Sequence, residues 1–159
     1  MATNIPIVRQ IAWISLIPQM ILLGFFMLFF HWLEFKNYFF LGAILYLVVS
    51  FVLKRTISSS HRNGMILIKQ GLFDKAIPFF EKSVDFFATH KWVDKFRYVV
   101  LLSSSKMTYK EMGLCNIAFC YAQIGNGTKA LEYYELVLGE YPECGLAKAG
   151  MNMLNSMKE

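Results

Sequence analysis

The sequence predicts an all-α protein in which a two-span transmembrane helical hairpin precedes a soluble helical domain. Two observations carry this. Between Gln10 and Leu53 the only charged side chains are Glu34 and Lys36, close together in the middle of the stretch. Beyond residue 56, apolar residues and glycines recur at the spacing of paired helices, and the pattern occurs twice.

The first apolar run, Gln10 to Leu33, contains no Asp, Glu, Lys or Arg. About 20 apolar residues at roughly 1.5 Å rise each cross the hydrocarbon of a bilayer. The second run, Tyr38 to Leu53, opens on Tyr38, Phe39 and Phe40 and closes on Lys54 and Arg55, which suits the two membrane interfaces. The stretch His31 to Asn37 leaves room only for a tight antiparallel turn, with Trp32, Phe35 and Tyr38 at headgroup depth. Orientation follows from the basic residues. The turn has Lys36 alone, whereas Arg9 and the amino terminus flank the first run and Lys54, Arg55, Arg62 and Lys69 follow the second. Both chain ends are therefore expected in the cytoplasm. The first run is too long for a cleaved leader and no small-x-small site follows it. Pro18 is expected to kink the first span, and Gly24 and Gly42 to let the spans approach closely. Ser15 and Gln19 form one polar spot, which suits a hydrogen bond between helices better than a solute path: two spans without a buried acid or base make a poor transporter.

The hairpin is expected to occupy residues 1–56 and the soluble domain 57–159. Charge in the soluble part is uneven. Residues 54 to 110 hold eleven Lys or Arg against four acids, and residues 111 to 159 hold three against six. The basic half adjoins the span, where each cation near an anionic leaflet contributes about 1 kcal/mol. No basic run with interleaved aromatics matches a nucleic-acid-binding module, so nucleic acid is excluded as a partner. Cys115, Cys120 and Cys144 are odd in number and form no C-x-x-C pair, which fits free buried thiols in a reducing compartment.

The repeat lies in the soluble part. One copy reads Gly64-x2-Leu67-x3-Gly71-x-Phe73-x2-Ala76-x3-Phe80-x2-Ser83, and the other Ala118-x2-Tyr121-x3-Gly125-x-Gly127-x2-Ala130-x3-Tyr134-x2-Val137-x4-Pro142. Each is a helix, a glycine turn and a second helix. Gly64 and Ala118 let the second helix lie close, Ala76 and Ala130 face them, and Phe80 and Tyr134 fill the space one turn on. Gly71 and Gly125 end the first helices in the left-handed conformation, and Pro142 stops the last. This alternation of small and large residues resembles the tetratricopeptide repeat family, whose unit is a helix-turn-helix of about 34 residues. Ala88 stands where the first copy would carry its closing Pro, and Pro78 lies near the first turn of its helix.

Ala76 and Ala130 are 54 residues apart, 20 more than the unit. The boundaries that follow are about 57–90 for the first repeat, 91–107 for an insert, 108–144 for the second repeat and 145–157 for a C-terminal helix. Trp92, Phe96, Val99 and Val100 keep helical spacing, so the insert is expected to lengthen the second helix or to add one beside it. Ser103–Ser105 break that run, and Thr108-x-x-Glu111 is a capping box for the next helix. Two repeats are few for a stable stack. The insert, the stripe Leu146, Ala149, Met153 and Leu154, or self-association into a homo-oligomer would cover the open ends.

The residues suggest no catalytic chemistry, cofactor or metal. His31, His61 and His90 lie on different elements without ligand spacing, no phosphate loop precedes a helix, and Cys115 has no neighbouring His. The sequon Asn126-Gly127-Thr128 would be inert in the cytoplasm. The resemblance implies instead a concave groove lined by the first helices of the pairs, here by His61, Met65, Ile68 and Lys69 and by Met112, Cys115, Phe119 and Gln123. His61 with Met65, and Cys115 with Phe119, do not reproduce the Lys and Asn pair with which some family members clamp a terminal carboxylate. An apolar groove suits a peptide or amphipathic helix. The expected role is thus an adaptor or scaffold at the lipid bilayer, and the arrangement resembles short bacterial inner-membrane proteins. The alternative is a structural or assembly subunit of a larger membrane complex, contacted through the hairpin.

Overall fold

The computed structural model describes residues 12–156, all helical or loop, with no β-strand among them. Arg9, Gln10 and the last residue expected in the C-terminal helix lie outside the described residues. The helices are α1 (Leu16–Trp32), α2 (Tyr38–Ile57), α3 (Ser59–Lys69), α4 (Phe73–Thr89), α5 (Lys91–Lys95), α6 (Arg97–Val100), α7 (Tyr109–Gln123), α8 (Gly127–Glu140) and α9 (Gly145–Ser156). They form two units. One holds residues 12–59 and 90–106, the other 60–89 and 107–156.

In the first unit α1 and α2 pack as an antiparallel hairpin. The stretches Trp13–Trp32 and Tyr38–Ile57 are each 20 residues long and apolar enough to cross a membrane. Only 6% and 11% of them is buried, where the core helix of a soluble protein would be mostly buried. The turn closes through Leu33 N–H to Phe29 O and Glu34 N–H to His31 O, with Glu34 in the left-handed region at φ 57°. Gly42 is required by close packing: a Cβ there would lie 2.9 Å from the Met27 backbone. Gly24 faces open space and plays no such part. Pro18 is the third residue of α1, which directly follows the helical turn Trp13–Ser15.

The residues read as an insert group with the hairpin. They form two short helices, α5 and α6, rather than a longer α4. Arg97 organises them: its guanidinium donates to the carbonyls of Asp94 (3.1 Å), Ser105 (3.2 Å) and Lys106 (2.7 Å) and to the Tyr98 hydroxyl (3.0 Å). Gln19 Nε2 donates to Leu102 O at 3.2 Å, and Ala12 N–H to Ser104 O at 2.9 Å. Of the polar spot on α1, Gln19 is therefore spent on this segment and not on the other span, while the buried Ser15 Oγ has no hydrogen-bond partner.

In the second unit α3, α4, α7, α8 and α9 stack in chain order. Gly71 (φ 75°) and Gly125 (φ 80°) take the left-handed conformation at the two turns. A Cβ at Gly64 would meet the Phe80 ring at 2.8 Å, which is why the first copy carries glycine where the second has Ala118. Ala76, Phe80, Ala118 and Ala130 are fully buried. One core gathers Ile68, Ile77, Phe80, Ile117 and Cys120 from α3, α4 and α7. The other gathers Leu114, Cys115, Tyr134, Val137, Cys144 and Ala147 from α7, α8 and α9. Each fully buried Leu or Phe side chain contributes roughly 1.5–3 kcal/mol. The capping box of α7 is formed, with Glu111 N–H donating to Thr108 Oγ1 (3.1 Å) and Thr108 N–H to Glu111 Oε2 (3.2 Å). Asn126, in the glycosylation sequon, caps α8 by accepting Lys129 N–H at 3.1 Å.

Candidate binding groove

α9 lies against α8, with Ala147 fully buried and Gly150 pressed against the Tyr134 ring. This closeness brings α9 alongside α7, and a groove of about 560 Å³ opens between them. Cys115, Asn116, Phe119 and Gln123 line it from α7, and Leu146, Ala149, Met153 and Leu154 from α9, with Tyr134 at its floor. Every lining residue belongs to the repeat unit. The surface is mainly apolar. Its charged members are both acids, Glu111 and Glu143, and Glu143 also meets Lys148 at 3.7 Å near solvent.

Two buried thiols meet on the groove wall, Cys115 Sγ and Cys144 Sγ, 3.6 Å apart. The hydrogen bond to Cys144 and burial both push the Cys115 thiol up, so it stays protonated. Burial likewise raises the Tyr134 hydroxyl to about 12. The hydrogen bond between the thiols pulls Cys144 down, so Cys115 is the member of the pair held protonated.

Of the eight positions expected on the groove, the structure brings Cys115, Phe119 and Gln123 together on this surface. Phe119 is half-buried, and its ring meets the edge of Phe73 with centroids 5.9 Å apart. Met112 is half-buried and outside the lining. The α3 positions diverge. Ile68 is core, and Lys69 is exposed. Met65 Sδ accepts a hydrogen bond from Asn116 Nδ2 at 3.5 Å. His61 is buried with its ring edge-on to Phe80 and Tyr109, 5.3 and 5.4 Å between centroids. Its Nδ1 finds no partner, and burial pushes the imidazole down to about 4. The cavity between α7 and α9 thus holds three of the eight expected positions, all of them on α7. The sequence signal for α9 is the apolar stripe after Pro142, at helical spacing.

Residues 58–90 and 108–144 match the tetratricopeptide repeat family. No curated protein and no solved structure matches the chain.

Proposed function

We propose that this tetratricopeptide repeat protein is a membrane-anchored adaptor, holding an amphipathic helix or peptide of a protein partner in the groove between α7 and α9, on the cytoplasmic side. Tetratricopeptide repeats are protein-interaction modules. The observation that carries the finer reading is the groove itself: about 560 Å³, apolar along both helices, with Glu111 and Glu143 as its charged groups. Such a surface fits an apolar helical face flanked by basic residues. The anchor is the hairpin, whose apolar side chains point outward along both helices, from Ile17 and Ile21 to Phe40 and Leu47.

A second reading rests on that same outward surface. A protein built into a larger membrane complex would use the hairpin for its main contact. Photo-crosslinking of the full chain in native membranes separates the two. With the crosslinker in place of Gln123 or Met153, both exposed on the groove, the adaptor is expected to yield a discrete protein adduct. Lys82, exposed on α4, serves as the control that yields none. Adducts only from Phe40 would favour the subunit, and adducts from no position would remove both.

A further inference from the structure

We propose that residues 91–100 form a second membrane contact, a foot in which Trp92, Phe96 and Val99 enter the headgroup region of the leaflet while Lys91 and Lys95 meet anionic lipid. The inference rests on the membrane reading of the hairpin. Trp92, Phe96 and Val99 follow one another at i, i+4 and i+7 across α5 and α6, and are 58%, 53% and 52% exposed. Their neighbours Val93, Arg97, Leu101 and Leu102 are buried. The segment thus turns its aromatic side outward and its one arginine inward, the reverse of what water favours and the arrangement that a lipid interface favours.

Position supports the same occupant. The hydrogen bonds from Ala12 and Gln19 fasten Ser104 and Leu102 to the first turns at one end of the Trp13–Trp32 stretch. That end meets the headgroups if the stretch spans the bilayer, which sets Leu102 and Ser104, and the short helices that lead into them, near interfacial depth. Tryptophan is the residue most at home there. Lys91 and Lys95 are both exposed, one turn apart, with Lys95 Nζ 5.8 Å from the Phe96 ring centroid. Lysines placed there complement the negative surface of a cytoplasmic leaflet. The four hydrogen bonds of Arg97 fix the shape of the segment, so the foot is ordered before it touches lipid.

Tryptophan fluorescence of the full chain in nanodiscs of phosphatidylcholine and phosphatidylglycerol tests this. Trp13→Phe with Trp32→Phe leaves Trp92 as the reporter. Trp13→Phe with Trp92→Phe leaves Trp32, in the hairpin turn. A third variant lacks all three and carries Lys82→Trp as the aqueous reference. The foot requires Trp92 emission that is blue-shifted from the Lys82→Trp reference, quenched by lipids brominated along the acyl chain, and shielded from iodide. If Trp32 is quenched by brominated lipid while iodide reaches Trp92, the hairpin stands and the foot is overturned. Trp92 shielded from both quenchers means that protein covers the patch, which also overturns it. If brominated lipid quenches neither tryptophan, the membrane reading itself falls and takes the foot with it.

Discussion

Phe80 and Phe40 are the same side chain in opposite surroundings. Phe80, in the repeat unit, is fully buried against Gly64 and the core of α3, α4 and α7. Phe40, at the start of α2 in the hairpin, is 74% exposed. The repeat unit buries its apolar residues within itself, as a protein in water must. The hairpin unit presents them outward and uses Gln19 and Arg97 for internal hydrogen bonds. The contrast teaches that hydropathy alone does not describe this chain. What differs between the units is whether an apolar side chain is complemented by protein or left to be complemented by something else.

The sharpest way to break the comparison is to truncate both phenylalanines. Phe80→Ala is expected to cost about 3–5 kcal/mol, the range for a large side chain removed from a packed core. Phe40→Ala removes no protein neighbour of that kind and is expected to cost under about 1 kcal/mol. Denaturant melts of the full chain in nanodiscs measure both, and similar losses would mean that Phe40 is packed as Phe80 is.

A smaller effect probes the buried imidazole of the repeat unit. His61 sits near 4 when folded and near 6.5 when unfolded, so the unfolded chain binds the extra proton first as pH falls. Stability is complete above about pH 6.5 and is lost as pH falls through about 4, by up to about 3 kcal/mol. Melts of the full chain between pH 7 and 4 should show this slope, and His61→Leu should flatten it.

The smallest of the three effects tests the fit between helices. Ala130 is fully buried, and Ala130→Leu should overpack the α7–α8 pair at a cost of about 1–3 kcal/mol. Glu135→Leu, on the exposed side of the same helix, should change stability by under about 0.5 kcal/mol. Equal shifts for the two would contradict the repeat register.

Local chemistry was the legible part of the fold. Gly71 and Gly125 announce left-handed turns because few other residues take them, and Thr108 with Glu111 announces a helix start because both hydrogen bonds lie within four residues. Ala76 and Ala130 announce close helices. The repeats were readable for the same reason: their small and large positions recur at fixed spacing. The sequence reading fell short where the partner is distant in the chain. Nothing near Gln19 indicates that its acceptor is the carbonyl of Leu102, 83 residues away, and a helical spacing at Trp92, Phe96 and Val99 does not say which unit the helix joins. Of the candidate site, Phe119 and Gln123 follow from the repeat register on α7, whereas α9 lines the same cavity because the small side chains Ala147 and Gly150 let it lie close to α8, a contact that spacing alone does not announce.

The order of the chain runs hairpin, first repeat, α5 and α6, second repeat, so neither unit is contiguous. During synthesis the hairpin unit waits for residues 90–106 until the first repeat has already emerged, and α4 in turn waits for α7, the helix with which it shares its largest interface, until those residues have followed. An excursion of this length adds little loop entropy, since each doubling of a loop costs only about 0.6 kcal/mol. Its larger effect is on dissection: cutting after residue 56 to release the repeats would carry α5 and α6 away from Ala12 and Gln19 and break the hydrogen bonds that these make to Ser104 and Leu102. Neither unit is released by a single cut in the chain.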